Sequence, residues 1–175
     1  MQLYEIHGKK PKISPNVAFI GEDVKIIGDV EIAEDCVIFD NVVIEGYPIK
    51  IKIGKGTNIQ SGTIIHGLND IDTIIGNYNT IGHNSVIHGC TLEDYVVVGI
   101  GSVVMGKTRV GMGSLIGAGS LVTENKVFPP KSVIIGHPAK VIRDLTAEEF
   151  ETNKVVADRY IEEGRQLTTE RKRIN

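Results

Sequence analysis

The sequence predicts an all-β fold of thin stacked coils, completed by one C-terminal α-helix. Apolar anchor residues recur at a step of six through most of the chain, which matches neither a helix face nor a plain strand. Glycine accounts for 20 of the 175 residues, whereas aromatic residues make up 5% and tryptophan is absent. A core of isoleucine and valine with little aromatic filling favours repeated thin layers. Near the C-terminus, a capping motif followed by a helical apolar stripe indicates the helix.

Residues 1–19 are predicted to form an N-terminal lead-in with one short strand. The strand candidate is residues 3–6, and Pro11 and Pro15 keep the chain extended after it. The six-residue step begins at Ile20, so we place the start of the repeated region there.

The repeated region is predicted over residues 20–135. Its anchors keep the step of six except at three places: three extra residues after Ile44, four extra residues after Ile65 and one residue fewer after Ile87. The residue four positions after an anchor is usually small or β-branched, and glycine or an acidic residue often follows the anchor directly. The anchors are Ile20, Ile26, Ile32, Ile38, Ile44, Ile53, Ile59, Ile65, Ile75, Ile81, Ile87, Leu92, Val98, Val104, Val110, Ile116, Val122 and Phe128.

This pattern resembles the hexapeptide repeat of left-handed parallel β-helices. In such a fold three hexads close one triangular coil, and each anchor points inward and stacks on the anchor one coil away, about 4.8 Å along the axis. No coil buries its apolar face alone, so stability comes from stacking. The anchors predict roughly six coils. A β-sandwich, the alternative, would instead show strict alternation with turns roughly every 8–12 residues.

The segment after the repeat is predicted to leave the β-helix and lead into the C-terminal helix. Residues 136–146 contain Gly-His-Pro-Ala-Lys, which resembles the Gly-x-Pro-Ala-Lys exit segment common after such β-helices. Thr146 and Glu149 have the spacing of a capping box. A helix over residues 147–172 would carry an apolar stripe and pack back along the β-helix, within a single domain. The stripe consists of Phe150, Ala157, Tyr160 with Ile161, and Leu167.

The bulk composition narrows the classes of function. Lys and Arg total 19 against 22 Asp and Glu, and the pI is near 6.0, which does not favour nucleic acid as a partner. The uncharged stretches are too short and too rich in glycine to cross a bilayer, which needs roughly 20 apolar residues, so no membrane span is expected. Two distant cysteines form no disulfide framework. We therefore expect a reducing, cytoplasmic setting.

Three histidines occupy positions that suit a shared metal ion. His66 and His88 each follow an anchor by one residue, and their hexads are three apart, which is one full coil. The two imidazoles should therefore stack on the same side of adjacent coils. His83 belongs to a different side, so it would meet the other two only across a threefold interface. A three-histidine site with an open fourth position is typical of catalytic zinc, and a simple imidazole ladder is the alternative.

Several motifs together resemble the gamma-class carbonic anhydrase family over nearly the whole chain. The motifs are His66, the His83-x-x-x-x-His88 pair in Ile-Gly-His-Asn-Ser-Val-Ile-His-Gly-Cys, the Asn58-Ile-Gln60 segment and the Pro-Ala-Lys exit. The resemblance implies a left-handed β-helix with a C-terminal helix, assembled as a homotrimer. It also implies a metal at each subunit interface, held by His66 and His88 of one chain and His83 of the next.

The resemblance further implies a lyase reaction, the reversible hydration of carbon dioxide to bicarbonate. The cofactor would be Zn²⁺, with Fe²⁺ or Co²⁺ as alternatives, and it would lower the pKa of bound water to about 7. Gln60 would orient the nucleophile and Asn58 would support the pocket. Tyr160 would reach the pocket edge from the C-terminal helix, although a place in the apolar stripe of the helix is an alternative role for it.

The chain departs from the family pattern where the family carries a charged pair. The family usually has Arg-Gly-Asp where this chain has Glu45-Gly-Tyr47, and Asn-Ile-Gln-Asp where this chain ends in Ser61. In the family that Arg and the last Asp are thought to pair near the site, so Glu45 and Ser61 replace both partners. The loop insertions are short, and no acidic proton-shuttle loop is evident. We therefore expect metal binding with weak or absent hydration activity.

Two other functions stay open at this point. Hexapeptide-repeat acyltransferases that use acyl-coenzyme A share the fold, although they generally place a catalytic histidine on an extended loop, and no insertion here is long enough for one. The other alternative is a non-catalytic metal-binding trimer or assembly subunit, which the loss of the charged pair favours.

Overall fold

The computed structural model describes residues 1–174, within which twenty β-strands precede one α-helix. Most strands are two or three residues long, because the chain crosses one side of a coil in a few residues and then turns. The elements are β1 (Gln2–Tyr4), β2 (Lys12–Ile13), β3 (Phe19–Ile20), β4 (Lys25–Ile32), β5 (Val37–Ile38), β6 (Val43–Ile53), β7 (Asn58–Ile59), β8 (Ile64–His66), β9 (Thr73–Ile75), β10 (Thr80–Ile81), β11 (Val86–His88), β12 (Thr91–Leu92), β13 (Val97–Val98), β14 (Val103–Val104), β15 (Arg109–Val110), β16 (Leu115–Ile116), β17 (Leu121–Val122), β18 (Val127–Phe128), β19 (Ser132–Gly136), β20 (Ala139–Asp144) and α1 (Ala147–Glu170).

Parallel strands from successive coils stack into three sides, which confirms the predicted left-handed β-helix with a C-terminal helix. The first side holds β1, the starts of β4 and β6, and then β8, β11, β14 and β17. The second side holds β2, the ends of β4 and β6, and then β9, β12, β15 and β18. The third side holds β3, β5, β7, β10, β13, β16 and β19.

The described residues form about seven coils, where the anchors from Ile20 onward predict roughly six. The additional coil arises because β1 and β2 both pair in parallel with β4, so residues 1–19 supply two of its sides. Among residues 1–174 no further coil covers this one, so Leu3 is 49% exposed although its ladder partner Ile26 is fully buried.

The core is the column of stacked anchors. Every predicted anchor is buried except Ile20, which is partly buried because it lies in the first coil. At the opposite end, β19 and β20 form an antiparallel hairpin from the exit segment. Branched aliphatic side chains suit this interior, since they stack on identical neighbours across parallel strands.

Helix α1 packs back along the third side, from the later coils toward the first. Thr146 and Glu149 form both hydrogen bonds of the capping box, and the helix ends at Glu170, two residues before the predicted 172. Gly164 lets the helix approach closely, since a β-carbon there would lie 2.7 Å from Val37 Cγ2. Among residues 1–174, no helix has the length and apolar character required to cross a membrane.

Candidate metal centre

His66 and His88 lie side by side at the ends of β8 and β11 on the first side. They are direct partners in the parallel ladder, as the coil count predicts. Their rings are stacked, with centroids 5.3 Å apart and planes inclined by 8°, and the two Nδ1 atoms lie 3.4 Å apart. The anchors that precede them, Ile65 and Ile87, point into the core, so the imidazoles project outward.

The spacing of this pair and the environment of His88 fit a shared metal ion. Metal–nitrogen bonds of about 2.0–2.1 Å in a tetrahedral site place neighbouring donor atoms about 3.3–3.4 Å apart. Burial lowers the pKa of His88, and the charge of His66 lowers it further, against an opposing effect of Glu124. Metals bind the neutral imidazole, so the environment favours the ligating form. His66 and His88 can therefore serve as two ligands.

His83 lies at a corner between the third and first sides, away from the other two histidines. It sits in the turn after β10, where Asn84 adopts the left-handed conformation with φ 55°. Its backbone N–H donates to Gln60 Oε1 at 3.3 Å, which ties the turn to the preceding coil. Within residues 1–174 of one chain, no cluster of three or more His, Cys, Asp or Glu side chains could hold a metal. That His83 is a third ligand from another chain stays a prediction.

The other predicted site residues form one polar network on the third side, beside helix α1. Gln60 Nε2 donates to Tyr160 Oη at 2.8 Å and lies 3.5 Å from Asn58 Oδ1. Asn58 Nδ2 in turn donates to Thr80 Oγ1 at 2.8 Å. Gln60 and Asn58 are buried, so these bonds satisfy amide groups that water cannot reach. The network is continuous with the turn of His83 through Gln60.

Tyr160 belongs to the apolar stripe of the helix and also contacts the polar network. Its ring packs edge-on against Phe39, with centroids 6.0 Å apart, as expected for the apolar stripe of the helix. Its hydroxyl group reaches Gln60. The structure thus brings Tyr160, Gln60, Asn58 and the turn of His83 together, and it separates them from the pair on the first side.

The residues that replace the family's charged pair lie on different parts of this arrangement. Glu45 is the ladder partner of His66 on the neighbouring strand β6. Ser61 lies at the corner of His83, one coil earlier, where its carbonyl accepts from the Asn84 N–H. Glu45 therefore lies on the first side with the histidine pair, and Ser61 lies at the corner with His83.

One residue beside the histidine pair was not predicted from the sequence. Thr73 is fully buried, and its hydroxyl group contacts the backbone next to both His66 and His88. The signal in the sequence was the four-residue insertion after Ile65, because Thr73 begins the strand that follows it. The direction of the hydroxyl group could not be derived from that spacing.

The chain is similar to several proteins described as carbonic anhydrases. It is 43% identical over 149 residues to a Methanocaldococcus jannaschii protein described provisionally as a carbonic anhydrase, covering 85% of this chain and 93% of the relative. It is 36% identical over 162 residues to a carbonic anhydrase of Geobacillus kaustophilus, covering 93% and 88%. It is also 36% identical over 165 residues to the mitochondrial gamma carbonic anhydrase 2 of Arabidopsis thaliana, covering 91% of this chain. The chain spans only 59% and 56% of the length of this and another Arabidopsis relative.

Solved structures of hexapeptide-repeat proteins match the whole fold. A Bacillus cereus protein described provisionally as an acetyltransferase has a TM-score of 0.94 and 35% identity, covering 97% of this chain and 98% of that chain. A hexapeptide transferase family protein from Anaplasma phagocytophilum has a TM-score of 0.89 and 38% identity, covering 94% and 96%. No protein-family model matches the chain.

Proposed function

Because the chain belongs to the gamma carbonic anhydrase family, we propose that it is a metal-dependent lyase that acts on carbon dioxide and bicarbonate. The observation that carries the proposal is the His66–His88 pair, with ring nitrogens 3.4 Å apart on adjacent coils. The relatives described as carbonic anhydrases support the kind of reaction.

The site is proposed to lie between the chains of a homotrimer. One chain offers two donors on its first side and His83 at a separate corner, so it cannot complete a three-histidine site alone. A head-to-tail contact that closes after three copies would place the corner of one chain against the first side of the next. Each interface would then hold His66 and His88 from one chain and His83 from its neighbour.

The proposed cofactor is Zn²⁺, with Fe²⁺ or Co²⁺ as alternatives, because all three accept imidazole ligands. When bound, such a metal supplies Lewis-acid activation of water near neutral pH. Gln60 is proposed to orient the reacting water, since its amide is held at both ends by the His83 N–H and by Tyr160. Asn58 supports Gln60 from within the coil, and Tyr160 supports it from the helix.

The hydration activity is proposed to be weak. Glu45 is the ladder neighbour of His66, at the position where the family has an arginine, and an acidic residue near the metal disfavours an anionic product such as bicarbonate. Ser61 supplies no compensating charge at the corner of His83. The double substitution Glu45→Arg with Ser61→Asp should therefore raise the hydration rate at unchanged metal content. An unchanged or lower rate at full metal content would contradict this explanation.

The experiment that tests the function measures the carbon dioxide hydration rate and the metal per chain in the same sample. Protein is reconstituted with Zn²⁺ or, without oxygen, with Fe²⁺. His83→Ala should lose metal and any hydration, whereas His137→Ala, a change at an exposed histidine on the exit hairpin, should lose neither. Full metal content in His83→Ala would refute the shared site, and full metal with no hydration would refute the reaction.

A hexapeptide acyltransferase is the second candidate, since two well-matched solved structures are described as transferases. Acyl-coenzyme A would be the substrate. Calorimetric titration with coenzyme A distinguishes the two candidates. Saturable binding at about one site per chain would favour the transferase, whereas no binding would favour the lyase.

A non-catalytic metal-binding trimer or assembly subunit is the third candidate, favoured by the replacements at Glu45 and Ser61. It predicts a filled metal site and no turnover in every reconstituted form. A partner protein that co-purifies with the metal-loaded trimer, and is lost together with the metal, would support it.

A cytoplasmic setting is part of the proposal. Cys36 and Cys90 are free and buried, and burial raises the pKa of both thiols to about 12. Buried thiols of this kind are inert and compatible with a reducing compartment. The Arabidopsis relatives are described as mitochondrial, so fractionation of cells that express the chain is the direct test.

A further inference from the structure

Serine and threonine hydroxyl groups in the corners of the coil form a recurring set of bonds between coils. Each of these side chains is buried and donates to a backbone carbonyl 14–19 residues later, in the next coil. In an apolar interior such a bond satisfies the hydroxyl group and ties adjacent coils together. The donors and acceptors are Thr57 to Gly76, Thr63 to Gly82, Ser85 to Gly99, Ser102 to Gly117, Thr108 to Thr123, and Ser114 to Pro129.

Thr73 departs from this set, because its hydroxyl group points back along the chain. Thr73 Oγ1 donates to the His66 carbonyl oxygen at 2.6 Å, seven residues earlier, and accepts from the Gly89 N–H at 2.9 Å. The Gly89 N–H also donates to the His66 carbonyl at 3.1 Å. One buried hydroxyl group therefore joins His66 to the residue that directly follows His88.

The same hydroxyl group closes the loop of residues 67–72, which contains the four-residue insertion after Ile65. Leu68, within the loop, lies over Gly89, where an added β-carbon would be 2.6 Å from Leu68 Cβ. Leu68 also exchanges two backbone hydrogen bonds with Ile71, so the loop turns back on itself. The loop is thus packed against the end of β11, with the bonds of Thr73 at its exit.

We propose that Thr73 is a positioning residue for the His66–His88 pair, an inference that rests on the proposed metal site. The Thr73 hydroxyl group bonds to both the His66 carbonyl and the Gly89 amide. The ends of β8 and β11 are therefore restrained from sliding past each other. The spacing of the two imidazole nitrogens is restricted with it. Groups that orient metal ligands in this way typically change metal affinity by roughly 10–100-fold when they are lost.

Three variants separate this role from a general contribution to stability. Thr73→Val removes the hydroxyl group and keeps the size and branching, in a column where its ladder partner is the apolar Ile51. Thr73→Ser keeps the hydroxyl group. Thr108→Val is the matched control, since it removes another buried corner hydroxyl, bonded to the Thr123 carbonyl at 3.0 Å.

The measurements are Zn²⁺ and Co²⁺ affinity by chelator competition, the visible absorption of the Co²⁺ form, and hydrogen exchange at the Gly89 amide. Thr73→Val should bind both metals about tenfold more weakly, with an altered Co²⁺ spectrum. It should also exchange the Gly89 amide faster than wild-type protein. Thr73→Ser and Thr108→Val should match wild-type protein in all three.

Each other outcome counts against the inference. Wild-type affinity in Thr73→Val would overturn it and leave the metal site in place. Equal weakening in Thr73→Ser would assign the effect to packing of the methyl group, and equal weakening in Thr108→Val would assign it to loss of stability. Wild-type protein that binds no metal would overturn the proposed function, and this inference with it.

Discussion

Two defective variants should restore each other's metal site when their chains mix in one trimer. His83→Ala keeps the pair on the first side, whereas His88→Ala keeps the corner histidine. Each variant alone lacks a complete site at every interface. In a mixed trimer, an interface formed by the first side of a His83→Ala chain and the corner of a His88→Ala chain has all three histidines.

The size of the effect follows from the head-to-tail arrangement. Around a ring of three, any trimer with both variants has one complete interface, whichever variant is in the majority. Random mixing of equal amounts makes about three quarters of the trimers mixed, so the mixture should hold about one quarter of the wild-type metal. Trimers purified through two different tags, one on each variant, should hold about one third.

The assay is metal per chain by elemental analysis after co-expression and two-tag purification, with native mass spectrometry to count chains. His137→Ala co-expressed with wild-type protein is the control for mixing and tags. A mixed trimer with no more metal than its two parents would refute the shared site. A His83→Ala parent with full metal would show that the pair binds metal without the corner histidine.

Three further predictions concern the packing and the N-terminal cap of helix α1. Tyr160→Phe removes the hydroxyl group that accepts from Gln60 at 2.8 Å, so the free energy of unfolding in urea should fall by about 1 kcal/mol. Gly164→Ala would place a β-carbon 2.7 Å from a valine methyl group. Overpacking of roughly 1–3 kcal/mol should outweigh the roughly 1 kcal/mol gained in helix propensity, and thermal unfolding should show a net loss. The Arg143 guanidinium holds the pKa of Glu149 at about 2, so the capping contribution is complete above roughly pH 4.3 and is lost as the pH falls toward about 2. Glu149→Gln should flatten this acid dependence of stability.

Different results would contradict each of these three arguments. A Tyr160→Phe protein as stable as wild-type protein would mean that another partner satisfies the Gln60 amide. A stabilised Gly164→Ala protein would mean that Val37 and its neighbours on the third side shift to accommodate the methyl group with little loss of free energy. Equal acid dependence in Glu149→Gln and wild-type protein would mean that the ion pair with Arg143 does not form in solution.

The fold was accessible from the sequence because the repeat is local. An anchor every six residues, with small residues at the corners, dictates the coil without knowledge of distant contacts. The sequence did not predict the first coil, because β1 and β2 lack this spacing. They join the β-helix only by pairing with β4. Likewise, glycine has a low helix propensity, so the sequence gives no reason for Gly164 within the helix. The reason is the close approach of Val37, which leaves no room for a β-carbon.

The sequence by itself determined that His66 and His88 would stand on adjacent coils and that His83 would lie elsewhere, since the positions of residues in a regular solenoid can be counted. Only the tertiary structure decided the 3.4 Å spacing of the ring nitrogens, the reach of Tyr160 to Gln60 and the backward bond of Thr73. These features depend on side-chain rotamers and on the path of an insertion, which are settled by contacts between residues far apart in the chain. Periodicity determines where a backbone runs, and packing determines where its side-chain atoms point.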